Sequence, residues 1–317
     1  MKVKLVFLIG IFALFSMTYA AAQSNVTMGV RGGLTIPGLT GGSDDPVSSN
    51  YSTAERLGAG IFVEFKINEL FSIQPMLEYS QEGAKRNGMQ ALVATSSNPE
   101  LAGAFSQAWQ GALNTAPELG MLSQLGLPAN FPTVPQYLYA NAKRDAKMDY
   151  LMLPVLAKFG WNFKKDSPWR VYVSAGPYIG LLLNAKNVVT INGGSIYADE
   201  SKNPLIQLPD AVTSQLPSTM LPTLTGAVSQ ISDGLTGEMA NSISGTQDIK
   251  EQLHTFNWGL EGNVGIQYQF NRNRVFLEVG GNYGLMNIQL STGNDEYLNG
   301  KNHIGAGTVM IGYGFSL

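Results

Sequence analysis

The 317-residue chain has no cysteine, only two histidines, and charged residues amount to 14% of it, against about 25% in an ordinary soluble domain. Lack of cysteine excludes a disulfide framework, a thiolate metal centre and a lipid anchored through sulfur. A net charge of −3 gives no basic footprint for a nucleic-acid partner. Past the N-terminal region no apolar run reaches the roughly 20 residues that a membrane-spanning helix needs. If this protein enters a membrane, it does so as strands.

What the chain does have is 36 glycines, a mean hydropathy near zero, and apolar residues spread singly rather than in blocks. At the N-terminus, Lys2 and Lys4 precede an apolar run over residues 5–15 and small residues over 20–22. That is the layout of a cleaved secretory signal, so residues 1–22 are expected to be removed and 23–317 to form the working protein, beginning at Gln23.

The stretch NWGLEGNVGIQYQF (257–270) shows the dominant pattern. Trp258, Leu260, Val264, Ile266, Tyr268 and Phe270 share one parity, and Asn257, Glu261, Asn263 and Gln267 the other. A period of two makes a strand with one apolar and one polar face. Seven more stretches alternate in the same way, near residues 26–36, 57–67, 71–80, 150–159, 170–181, 274–285 and 308–317. No charge falls on the apolar face of any of them, whereas Arg31, Glu64, Lys66, Glu78, Lys158, Arg170, Glu261 and Glu278 all fall on the polar face. A charge on a lipid-facing position near the bilayer midplane costs about 2–4 kcal/mol, which gives this segregation a cause.

The connections between these stretches run alternately long and short, the arrangement of outer-membrane barrels, whose short turns lie on one side and long loops on the other. Aromatic residues cluster at both ends of the strands. Phe65, Phe71, Phe159, Trp161, Trp169, Tyr268, Phe270, Tyr313 and Phe315 lie near the short turns, and Tyr79, Tyr150, Trp258 and Tyr283 near the long loops. Two interfacial girdles are expected from them. The fold class is therefore all-β: an eight-stranded antiparallel transmembrane β-barrel of a gram-negative outer membrane, its apolar face toward lipid.

FSIQPMLEYSQEGAK (71–85), YLMLPVLAKF (150–159), VYVSAGPYIGLLLNAK (171–186) and YGLMNI (283–288) resemble the recurring strands of the PorT-like outer-membrane barrel family of Bacteroidota. The likeness covers the strands and their spacing but not the two long insertions. It implies an eight-stranded barrel, and some members are tied to protein secretion to the cell surface. It carries over no catalytic motif.

The insertions span 83–149 and 187–255 and are expected to be partly helical and extracellular. In the first, Ser97 or Asn98 caps a helix whose Leu101, Phe105, Trp109 and Ala112 share a side. In the second, Leu221, Leu224, Val228, Ile231, Leu235 and Met239 recur at spacings of three and four. That apolar stripe either packs within the chain or docks another outer-membrane or surface protein.

Inside a barrel this narrow, side chains fill the lumen. The eight charges of the polar faces, four basic and four acidic, are expected to form paired layers that hold the barrel closed. His254 or His303 with Asp149, Asp248 or Glu251 is the only constellation for a lipid-acting hydrolase, and no ordered serine motif accompanies it. Loop carboxylates Asp44, Asp45, Asp295 and Glu296 offer a bridge to lipopolysaccharide through divalent cations. The pattern calls for no cofactor and no resident metal. It favours a non-enzymatic docking or structural component, such as a subunit of a secretion or surface-assembly complex. The alternative is a small porin-like channel, and a hydrolase comes third.

Overall fold

Alternation of this kind sets backbone and side chains at once, because a strand that shows apolar groups to one face must pair its N–H and C=O groups sideways. In the computed structural model, which describes residues 26–41, 51–93, 137–290 and 302–317 with Gly103, Gln107, Gln110 and Gly111, this pairing runs full circle. The strands are β1 (Val26–Gly41), β2 (Arg56–Lys66), β3 (Phe71–Val93), β4 (Tyr137–Asn162), β5 (Trp169–Tyr197), a short β6 (Gly245–Asp248), β7 (Phe256–Phe270), β8 (Asn273–Gly284) and β9 (Asn302–Ser316). Each barrel strand pairs antiparallel with its chain neighbour, β5 with β7, and β1 with β9, which leaves an eight-stranded ring with β6 added outside it. The expected signal segment and the four loop carboxylates lie outside the described residues.

Register fixes the width. Passing from Arg31 through Gly60, Glu78 and Met152 reaches β5 at Gly180, whereas passing through Gly312, Phe276 and Gln267 reaches it at Arg170, ten residues away. That stagger tilts the strands and sets a narrow interior that side chains can fill. Val264 and Ile311 point outward, 61% and 67% exposed, like the rest of the apolar parity. On the short-turn side Phe71 packs at a tilt against Phe159 and Trp169 edge-on against Tyr268, both with ring centroids 4.9 Å apart. Tyr79, Trp258 and Tyr283 are exposed toward the other side. Tyr150 is a correction to the expected girdle: it is fully buried in the lumen, because Leu151, not Tyr150, holds the lipid-facing parity of β4.

The short turns follow their residues. Asn68 accepts hydrogen bonds from the backbone N–H groups of Leu70 and Phe71 at 2.9 and 2.8 Å, and Asn271 takes a positive φ of 54° in the two-residue turn between β7 and β8. Asparagine suits both tasks, through its side-chain carbonyl and its tolerance of the left-handed region.

The long-loop side departs from simple loops. β3, β4 and β5 run for 23, 26 and 29 residues, about two to three times what a tilted spanning strand needs. Residues 83–93, 137–149 and 187–197, expected as parts of insertions, are therefore strand that continues outward from the barrel. Two helices follow β5: α1 (Asp210–Thr213) and α2 (Leu221–Ile243), with Pro222 in the first turn of α2. The helix expected after Ser97 falls mostly outside the described residues, although Gly103, Gln107, Gln110 and Gly111 are helical.

The apolar stripe of α2 is not left free for docking. Leu224, Val228, Leu235 and Met239 are buried against Leu138 and Ala140 of β4, Val189 and Ile196 of β5, and Leu205, Ile206 and Val212, with Ile231 at the rim. Leu221 is half-buried. The stripe is covered because the strand extension beneath it carries an apolar face of matching length. Ser232 binds the layer polarly, its Oγ accepting the Leu205 N–H at 3.0 Å.

Two outcomes follow from this division. Ile311→Arg lowers stability in lipid vesicles by about 2–4 kcal/mol, measured by urea unfolding, because it places a charge toward hydrocarbon. Leu235→Ala, by contrast, costs about 2–5 kcal/mol within the extension alone. Limited proteolysis should then cut near α2 while the barrel keeps its folded mobility on unheated gels.

Candidate functional site

The polar parity of eight strands converges in the lumen, where the side chains stack in layers. Nearest the short turns, Glu64 of β2 accepts hydrogen bonds from Ser72 at 2.8 Å and from Lys158 of β4 at 3.2 Å, and pairs with Arg274 of β8. The Lys158 ammonium also reaches Gln74 Oε1 at 3.2 Å and sits 3.7 Å from the centre of the Tyr172 ring. Above this layer Phe62, Met76, Leu156 and Phe276 form an apolar one. Gly312 permits it: a Cβ there would stand 2.1 Å from the Phe276 ring.

The next layer is ionic again and is centred on Arg31 of β1. Its guanidinium donates to Glu278 of β8 at 3.1 Å and to Glu261 of β7 at 2.7 Å, and pairs with Glu78 of β3. Tyr172 donates to the second oxygen of Glu278 at 2.9 Å, and Asn263 to Glu261 at 2.9 Å. Four strands that are not all neighbours in the ring are thus tied through one planar fork, a geometry that suits arginine. Toward the long-loop side an apolar cap of Met148, Met152, Leu182, Ala185, Leu253, Ile288 and Ile304 packs around Tyr150 and Tyr178.

Six of the eight lumen charges read from the sequence therefore meet in two layers. Two do not. Lys66 is exposed at the short-turn rim, and Arg170 instead donates to the backbone carbonyl of Glu69 at 2.7 Å. Sequence reasoning missed Arg274, although it shares the parity of Phe276 and Glu278, and Glu82, although it continues the parity of Glu78 and Ser80. Parity alone would have found both.

The histidine constellation does not assemble among the described residues. His303 contacts the Gly284 carbonyl oxygen at 3.0 Å through Nδ1 and stacks on Tyr283, and neither histidine forms an ion pair with a carboxylate among the described residues. Asp149 instead accepts from Tyr79 at 2.7 Å and from Asn184 at 3.0 Å, and Asp248 from the Lys250 N–H at 2.9 Å. Glu251 is exposed. On the extension, hydrogen bonds from the Asn203 side chain and backbone hold the Asp199 carboxyl below the usual range and close the turn after β5.

The sequence pattern of the outer membrane protein beta-barrel domain matches residues 21–289. The chain belongs to that family. It is an integral protein of the outer membrane. This outer-membrane barrel is similar in structure to Neisserial surface protein A (NspA), at 10% identity and a TM-score of 0.33, over 92% of this chain and 97% of the other. It is also similar to Ail, the attachment invasion locus protein of Yersinia pestis, at 10% identity and a TM-score of 0.32, over 93% and 100%. A third similar structure is OprG from Pseudomonas aeruginosa, at 10% identity and a TM-score of 0.32, over 93% and 97%. No curated protein sequence matches the chain.

For this barrel, Arg31→Met is expected to cost about 3–5 kcal/mol, since removing one partner leaves buried carboxylates facing each other uncompensated. Refolding yield of the variant should recover in part as pH is lowered, because a protonated carboxyl no longer repels its neighbours. Equal yields for variant and wild type at neutral pH would contradict the tie.

Proposed function

We propose that this barrel is a non-enzymatic component of the cell surface whose working part is the extracellular extension, which braces or docks another surface protein. The observation that carries this reading is that the extension has a core of its own. β3, β4 and β5 continue well past the membrane, and α2 is sealed onto β4, β5 and the segment that joins β5 to it within a cluster of twelve buried residues. A loop that only links two strands needs no such core, and an ordered platform is a better base for a partner than a mobile loop. The likeness of the strands to PorT-like barrels supports the more specific form, a subunit of a secretion or surface-assembly complex. The covered apolar stripe of α2 moves the contact to the other face of the helix, where Thr225, Ser229 and Asp233 are exposed.

The layered lumen supports the same reading over a channel, since two ionic layers, an apolar layer and an apolar cap follow one another along the axis. The decisive experiment places a photo-crosslinking residue at Thr225, Ser229 or Asp233 in native outer membranes, with lipid-facing Leu277 as control. A companion captured at α2 and not at Leu277, in constant ratio to the barrel, is expected. A monomer at every position, joined by stepwise conductance in planar bilayers, would overturn the docking reading in favour of a channel.

A further inference from the structure

Between the Arg31 layer and the apolar cap lies a cluster that neither layer accounts for. Glu82 of β3 is 0% exposed. Its Oε1 accepts from Ser80 at 2.8 Å and from Asn282 of β8, reaching across the lumen, at 3.1 Å. Its Oε2 has no hydrogen-bond partner, and neither do Asn282 Oδ1, the Tyr178 hydroxyl or either polar atom of Asn257, which is 1% exposed. The Tyr150 hydroxyl stands beside Asn257 without closing a bond of normal geometry. Gly259 leaves room for this arrangement, since a Cβ there would lie 2.8 Å from the Tyr178 hydroxyl oxygen.

Charge in this region is uneven. Glu78, Glu261 and Glu278 share Arg31, Glu82 adds a fourth carboxylate, and among the described residues no basic side chain pairs with it. Water would complete the hydrogen bonds but leave the excess negative charge in a low-dielectric interior, where it is costly. A cation beside Glu82 binds the free oxygens and offsets the one carboxylate of the four that Arg31 does not hold. Every free acceptor here is oxygen, the donor type of hard cations, and only one carboxylate is not already held by arginine, which suits a single positive charge.

We propose that Glu82, Asn257, Asn282 and the hydroxyls of Tyr150 and Tyr178 form a buried site for one alkali cation. The Arg31 layer closes it from below and Met148, Leu182, Leu253, Ile288 and Ile304 from above, so the ion enters as the barrel closes rather than afterwards.

The test is refolding of the full chain from urea into detergent micelles, in sodium chloride or N-methylglucamine chloride at equal ionic strength, read from the gel shift of the folded barrel. With sodium at about ten times its dissociation constant, the folded-to-unfolded ratio of wild type rises about tenfold over the control salt. Glu82→Gln should remove that difference. Tyr178→Phe, which keeps the ring and loses only the hydroxyl, should shrink it and serves if Glu82→Gln fails to fold. In crystals grown with thallous ion as the probe, an anomalous peak should lie within reach of Glu82 Oε2. Equal refolding of wild type in both salts, a sodium effect that Glu82→Gln retains, or water without thallium at Glu82 would each overturn the site and point to a protonated Glu82.

Discussion

Inside a bilayer no water is present to satisfy a bare N–H or C=O, so the pairing that closes the sheet is the constraint on which everything else rests. Here the closing contact is β4 with β5, two long strands whose pairing continues from the short-turn rim far into the extension. Once the ring is shut with a stagger of ten residues, the lumen diameter is set, and with it the number of side chains each level can hold. The apolar parity is then committed to lipid and the polar parity to a confined interior. Charges have one place to go within the membrane, and they go there together.

Confinement explains the layers. Backbone pairing tells each strand which neighbours to meet but says nothing about strands across the lumen. Arg31 supplies that information by joining β1 to β3, β7 and β8, and Glu64 does so by joining β2 to β4 and β8. The two layers are of opposite bias: Lys158 and Arg274 outnumber Glu64 below, and three glutamates outnumber Arg31 above. Tyr172 spans the apolar layer between them, its ring face against Lys158 and its hydroxyl on Glu278. Buried ion pairs gain little net stability, but a partner left alone is costly, so the layers act mainly to select one arrangement of the barrel.

Beyond the membrane the rules change, and so does the architecture. With water on both sides, the extension of β3, β4 and β5 has no lipid to cover its apolar residues and must supply its own covering, which is α2. The same chemistry that turns Val264 and Ile311 outward within the bilayer turns Leu224, Val228 and Leu235 inward above it.

This change of solvent also marks what can be read without a structure. The eight spanning strands, their lipid face, the alternation of short and long connections and the members of the ionic layers, Arg274 included, follow from parity, because lipid punishes every error on one face. Parity fails where lipid ends: KRNGMQ in β3 has polar residues on both faces, and Gly83 and Gly88 take positive φ, so nothing in that stretch announced a strand. Nor could parity tell that Lys66 and Arg170 end at the rim, or that α2 lies face down on the extension. Those depend on height along a tilted strand and on which residues meet across the barrel. Alternation specifies the side of a sheet on which a residue stands, and only closure, with its stagger, decides what stands opposite.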